Sequence, residues 1–234
     1  MLMLVGLTLA AGLAIPAGAA IGLTERILPR WLHDEFRHSV TAFGGGVLLS
    51  AVALVLVPGG VERLGWFAVT VAFVTGGCGF MLIDKAIQQA KGSAGQVLAM
   101  LADFVPEVAA LGAVYTADRG HGLFLALIIV LQNLPEGFNS CRELRATDGI
   151  HGGVLIASLL GMSLLGPAGG LIGYYALADR PAVLAWIMLI AAGGIMYLTF
   201  QDIAPQVRLE NKRLPALGSV LGFAAGLLGH MVIA

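Results

Sequence analysis

Long apolar runs separated by short polar breaks make up the whole chain, at about 2–23, 39–58, 65–84, 97–117, 122–141, 152–177, 182–204 and 215–234. A helix that crosses the hydrocarbon core needs about 20 predominantly apolar residues, so the pattern predicts eight transmembrane helices in one domain over 1–234. Strands of a membrane barrel alternate apolar and polar residues over about 10 positions, and these runs do not. The connections are short and leave no room for a separate soluble domain. The first run lacks a basic leading segment and a small-residue cleavage site, so it is expected to be retained as a span.

Composition agrees: 58% of residues are hydrophobic and 12% charged, against about 45–50% and about 25% in soluble domains. An all-α integral membrane protein is therefore expected. A net charge of −1 with no basic stripe argues against nucleic acid as a partner. Cys78 and Cys141 have no C-x-x-C spacing and are expected to be buried thiols.

The cations refine the topology. Ten of the thirteen Lys and Arg fall in the first, third, fifth and seventh connections: Arg26, Arg30, Arg37, Lys85, Lys91, Arg142, Arg145, Arg208, Lys212 and Arg213. Arg63, Arg119 and Arg180 occupy the other three. Positive residues favour the cytoplasmic side, which predicts extracytoplasmic termini. The 33 glycines suit close helix packing in lipid.

Two apolar runs carry polar clusters, Asp103-Phe104-Val105-Pro106-Glu107 and Gln132-Asn133-Leu134-Pro135-Glu136. In each, residues four apart share one helix face. The polar turn Ala117–Gly122 should fold the fourth and fifth helices into an antiparallel hairpin centred between Arg119 and Gly120. At that register Asp103 matches Glu136 in depth and Glu107 matches Gln132. The four side chains then form one layer, one turn deep, in the inner half of the membrane. Pro106 and Pro135 each remove a helical N–H and free a carbonyl, which suits a backbone lining a cavity. Three carboxylates at one depth repel unless protonated or bridged by a cation, and an oxygen-rich, negative site suits a divalent ion. The competing expectation is interhelical hydrogen bonding with the acids neutral, although acids at membrane depth mark ion pathways by default.

Elsewhere the expectations are plainer. Asp84 and Asp202 sit at span ends, where interfacial charge is ordinary, although a cation exit vestibule there is an alternative. His33 and His38 belong to a charged segment read as solvated, and His230 is read as a hydrogen-bonded packing residue. Asn139 and Ser140 follow the second cluster by one turn and could line a path inward.

The second cluster, Gln132-Asn133-Leu134-Pro135-Glu136-Gly137, resembles the His-Asn-x-Pro-Glu-Gly signature of the ZIP (Zrt/Irt-like) divalent-metal transporters, in their bacterial branch. Asp103–Glu107 resembles a weaker copy on the preceding helix. The resemblance implies a bundle of three, two and three helices and a cell-membrane location, as a multi-pass protein of the bacterial inner membrane. It implies metal ligation by Asp103, Glu107, Gln132, Asn133 and Glu136, with the metal ion and the lipid bilayer as partners and a homodimer left open. It also implies transport rather than enzymatic activity. The chain departs from the family at Asp103 and Gln132, which replace histidines, and at Phe104, which replaces an asparagine. Gly166, in Ser163-Leu164-Leu165-Gly166-Pro167, replaces a bridging glutamate, so one metal site is expected. An all-oxygen shell keeps manganese and ferrous iron open beside zinc, the family's usual cargo. The alternatives are a transport-incompetent metal-binding sensor or scaffold and, further off, an intramembrane enzyme, for which no H-E-x-x-H or G-x-S-x-G is present.

Overall fold

The computed structural model describes residues 1–24, 30–89, 93–149, 151–207 and 214–233. Arg26, Lys91, Arg208, Lys212 and Arg213, five of the cations used for orientation, lie outside the described residues. The elements are α1 (Leu2–Thr24), α2 (Arg30–Ala51), α3 (Val57–Val61), α4 (Trp66–Gln89), α5 (Ser93–Ala117), α6 (Arg119–Asp148), α7 (Gly152–Ser163), α8 (Leu165–Ile172), α9 (Pro181–Leu198), α10 (Ala204–Val207) and α11 (Leu214–Ile233). No strand occurs among the described residues. Three wider π-helical segments, Val52–Leu56, Gly173–Leu177 and Thr199–Ile203, join α2 to α3, extend α8 and join α9 to α10.

These elements line up into eight rods among the described residues. Seven contain stretches long and apolar enough to cross a membrane: Leu2–Thr24, Glu35–Val61, Trp66–Ala86, Arg119–Cys141, Gly152–Leu177, Pro181–Ile203 and Leu214–Ile233. The protein is thus an all-α, multi-pass membrane protein. The rod outside these seven is α5, which carries Asp103 and Glu107. Cys78 is exposed on the bundle surface, contrary to expectation, whereas Cys141 is buried. The reason is that α4 is peripheral, with most of its apolar face turned outward.

Prolines explain two of the three changes of pitch. A proline cannot donate to the carbonyl four residues back. In the second rod the N–H of Val57, just before Pro58, bonds instead to the carbonyl five residues back, at Val52. In the seventh, the N–H of Ala204, just before Pro205, bonds likewise to Thr199. Both are π-bulges, which absorb one residue without breaking the helix. Pro16 similarly releases the Gly12 carbonyl in α1, and the Ser163 hydroxyl donates to that oxygen at 2.8 Å.

The turn between α5 and α6 is tighter than the six-residue stretch that the sequence suggests. Only Asp118 interrupts the helices, and its carboxylate caps α6 by accepting from the His121 N–H at 3.0 Å. That backbone bond, then the His121 side chain, hold the Asp118 carboxyl below its ordinary range. At its far end α6 stops on Gly149, whose φ of 62° is a left-handed conformation that glycine adopts without strain.

Helix pairing follows a second pattern. α1 packs along α6, α8 along α5, α11 along α2 and α4 along α9. The first two of these contacts are made by matching glycines. The backbone of Gly18 abuts the Leu134 carbonyl and that of Gly22 the Phe138 carbonyl, while Gly169 abuts Val105 and Gly173 abuts Ala109. The residues come from two similar stretches, Pro16-Ala17-Gly18-Ala19-Ala20-Ile21-Gly22 and Pro167-Ala168-Gly169-Gly170-Leu171-Ile172-Gly173. They pack on the segments that contain Pro135 and Pro106. The other two pairs correspond in the same way, with Gly222 on the Phe43 carbonyl and Gly76 on that of Ile190.

The first three rods therefore correspond to the last three, and α5 corresponds to α6. Equivalent rods run oppositely: Gly12 meets Ser163, whereas the earlier Thr8 meets the later Gly166 and Gly170. The chain is an inverted repeat folded around the α5–α6 hairpin.

Candidate functional site

The hairpin register holds. The Gln132 Nε2 donates to both carboxylate oxygens of Glu107, so these side chains meet across the hairpin. Asp103 acts electrostatically on both Glu107 and Glu136, and Glu136 acts on Glu107, which places all three acids in one locality. Asp103, Glu107 and Glu136 keep partial exposure, whereas Gln132 is 3% and Asn133 0% exposed. Phe104, Val108, Ile128 and Ile129, on the same two helices, belong to the buried hydrophobic core.

The inverted repeat exchanges Asp103 with Gln132 and Glu107 with Glu136, since Pro106 corresponds to Pro135. The polar layer thus sits on the axis of the repeat. The repeat places it between the two halves of the protein.

Asn133 takes a different position from the others. Its Nδ2 donates to the Ala11 carbonyl at 2.9 Å, tying α6 to α1. Its Oδ1, and the Oε1 of Gln132, are buried with no hydrogen-bond partner. An unsatisfied buried acceptor costs about 1–3 kcal/mol, and the Gln132 oxygen together with the three neighbouring carboxyls forms a donor set suited to a hard or borderline cation. Among the described residues no three His, Cys, Asp or Glu side chains converge closely enough to hold a metal by themselves. An ion in this layer would therefore draw on amide oxygen as well as carboxylate.

Two positions beside α8 are taken up by packing. Phe104 is buried at 1% exposure and fills the space next to α8. Gly166 leaves no room for a side chain, because a Cβ there would strike the Thr8 carbonyl and lie 3.2 Å from the Phe104 ring. A bridging carboxylate could not be restored at Gly166 without moving α1.

Further along, the Thr41 hydroxyl donates to Asn139 Oδ1 at 3.1 Å, linking α2 to α6, and Ser140 is buried. Asp84 accepts from the Tyr197 hydroxyl at 3.0 Å, with Asp202 near enough to act electrostatically on both. Sequence reading missed the close seat of α1 on the second cluster, where Gly137 abuts the Ile15 carbonyl. The signal was present in the repeated Pro-Ala-Gly-x-x-Ile-Gly stretch.

Compared with known proteins, the chain matches no family model and no curated protein.

Proposed function

We propose that this protein is a divalent-metal transporter of the ZIP type. It would span the bacterial inner membrane eight times in a three-two-three arrangement, with both termini extracytoplasmic. Zinc is the first candidate cargo, with manganese and ferrous iron next. The observation that carries this is the acid and amide layer on the axis of an inverted repeat. In secondary transporters substrate sites lie near the midplane at such a repeat interface, and the two halves rock around them to alternate access. Structural glue would give each polar group a partner, yet two buried amide oxygens lack one.

Glu107, Glu136 and Asp103 would supply carboxylate oxygens and Gln132 an amide oxygen, with Asn133 holding α1 while offering its Oδ1. The blocked position at Gly166 favours a single ion.

Purified protein in liposomes is expected to take up at least one of zinc, manganese or ferrous iron in a saturable manner. Uptake of none, together with stoichiometric binding, would favour the sensor or scaffold. Absence of both uptake and binding would refute a metal role for the layer.

A further inference from the structure

A second group of polar side chains gathers at the end of the bundle where the α5–α6 turn meets the end of α11. Gly120 lies against the Ile233 carbonyl, which brings the two segments together. There the rings of His121 and His230 have centroids 6.5 Å apart, and the Phe124 ring lies 5.1 Å from that of His230. The Nδ1 of His230 is buried without a hydrogen-bond partner, contrary to its reading as a hydrogen-bonded packing residue.

The repeat explains why that nitrogen is free. The position equivalent to His230 in the other half is Asp84, which takes the Tyr197 hydroxyl. The position equivalent to Tyr197 is Ser50, whose hydroxyl bonds to the Val47 carbonyl in its own helix. His230 is thus deprived of the partner that its counterpart has.

His121 is arranged in a complementary way. Its Nδ1 lies 3.3 Å from Asp118 Oδ2. Metal-bound histidines commonly donate one ring N–H to a carboxylate, which fixes the tautomer and leaves the other nitrogen basic. Two imidazoles sharing a tetrahedral ion at about 2.0–2.1 Å from each nitrogen place their centroids roughly 5 Å apart. A small side-chain rotation closes the observed gap.

We propose that His121 and His230 form a binding site for a divalent transition-metal ion that prefers imidazole, with Asp118 positioning His121. Two imidazoles, completed by water, suit an exchangeable ion more than a closed structural centre. The site lies about 16 Å along α6 from Gln132 at about 1.5 Å per residue. It stands independently of the transport function, because the carboxylate layer contains no imidazole.

The test uses tag-free, full-length protein in detergent carrying His33→Gln, His38→Gln and His151→Gln, so that only these two histidines of the five remain. Electron paramagnetic resonance with one equivalent of Cu²⁺ is expected to show coupling to two imidazole nitrogens. His121→Gln and His230→Gln should each remove at least one nitrogen and weaken Zn²⁺ binding at least tenfold by calorimetry. Asp118→Asn should weaken Zn²⁺ binding while keeping both nitrogens; unchanged affinity would remove its positioning role. Absence of nitrogen coupling in the background protein, or coupling unaltered by His121→Gln, would overturn the site. His121 is about half-exposed, with 45% of its side chain accessible, so its replacement probes ligation with little disturbance of the fold.

Discussion

Glu136→Ala is expected to reduce metal uptake into liposomes on the order of 100-fold, to the level of protein-free vesicles, while the protein still purifies as a folded species. Among the described residues no hydrogen bond reaches the Glu136 carboxyl, and its charged neighbour Asp103 repels it. A carboxylate so placed contributes nothing to the fold that alanine would forfeit. Its removal relieves a repulsion, yet deprives an ion of a charged ligand worth roughly 3 kcal/mol or more, and each 1.4 kcal/mol is tenfold. Glu107 is a less clean probe, because Gln132 donates to it and would be left unpaired. Asn133→Ala should show a mixed profile. It removes the side-chain bond to the Ala11 carbonyl, lowering stability by about 0.5–1.5 kcal/mol, and withdraws one neutral oxygen from the ion, so uptake should fall less than in Glu136→Ala. Stable Glu136→Ala protein with undiminished uptake would sink the assignment of the layer; thermal unfolding read alongside flux separates the two effects.

The membrane spans were legible because lipid imposes length and apolarity on each one, so the predicted runs and the observed rods differ mainly at their ends. α2, for example, starts at Arg30 rather than near 39, since a helix continues past the hydrocarbon boundary at little cost. The meeting of Glu107 and Gln132 was legible from spacing, because a tight hairpin leaves only one register. What sequence could not supply was packing across distant segments. Nothing local to Asn133 says that its amide will reach Ala11, and nothing local to His230 says that Ser50 will turn away from it. The exposure of Cys78 was hidden for a related reason: in a membrane protein the lipid-facing side is as apolar as the core, so hydrophobicity does not tell inside from outside. The inverted repeat lay in plain view as two Pro-Ala-Gly-x-x-Ile-Gly stretches. It gains meaning only when Gly22 and Gly173 are seen against equivalent carbonyls.

Those glycines give the second large expectation, in which the sign of an effect is diagnostic. Within a helix, Gly→Ala ordinarily stabilises by about 1 kcal/mol through propensity. At Gly161 and Gly6 nothing stands within 4 Å of a new Cβ, and alanine there should raise thermal stability or leave it unchanged. At Gly137 and Gly173 the same methyl would run into the carbonyls of Ile15 and Ala109. A backbone carbonyl cannot swing aside as a side-chain tip can, so the paired helix must move bodily. Overpacking of this kind costs about 1–3 kcal/mol or more, which should outweigh the propensity gain and lower the melting temperature in detergent. The two sites lie at the two equivalent contacts of the repeat, one fixing α1 against α6 and the other fixing the π-helical end of the sixth rod against α5. Each substitution should therefore destabilise separately, and their effects should add, because the contacts share no residue. Stabilisation by alanine at both positions would show that the helices do not lie as close as described, and would remove the packing frame that centres the polar layer.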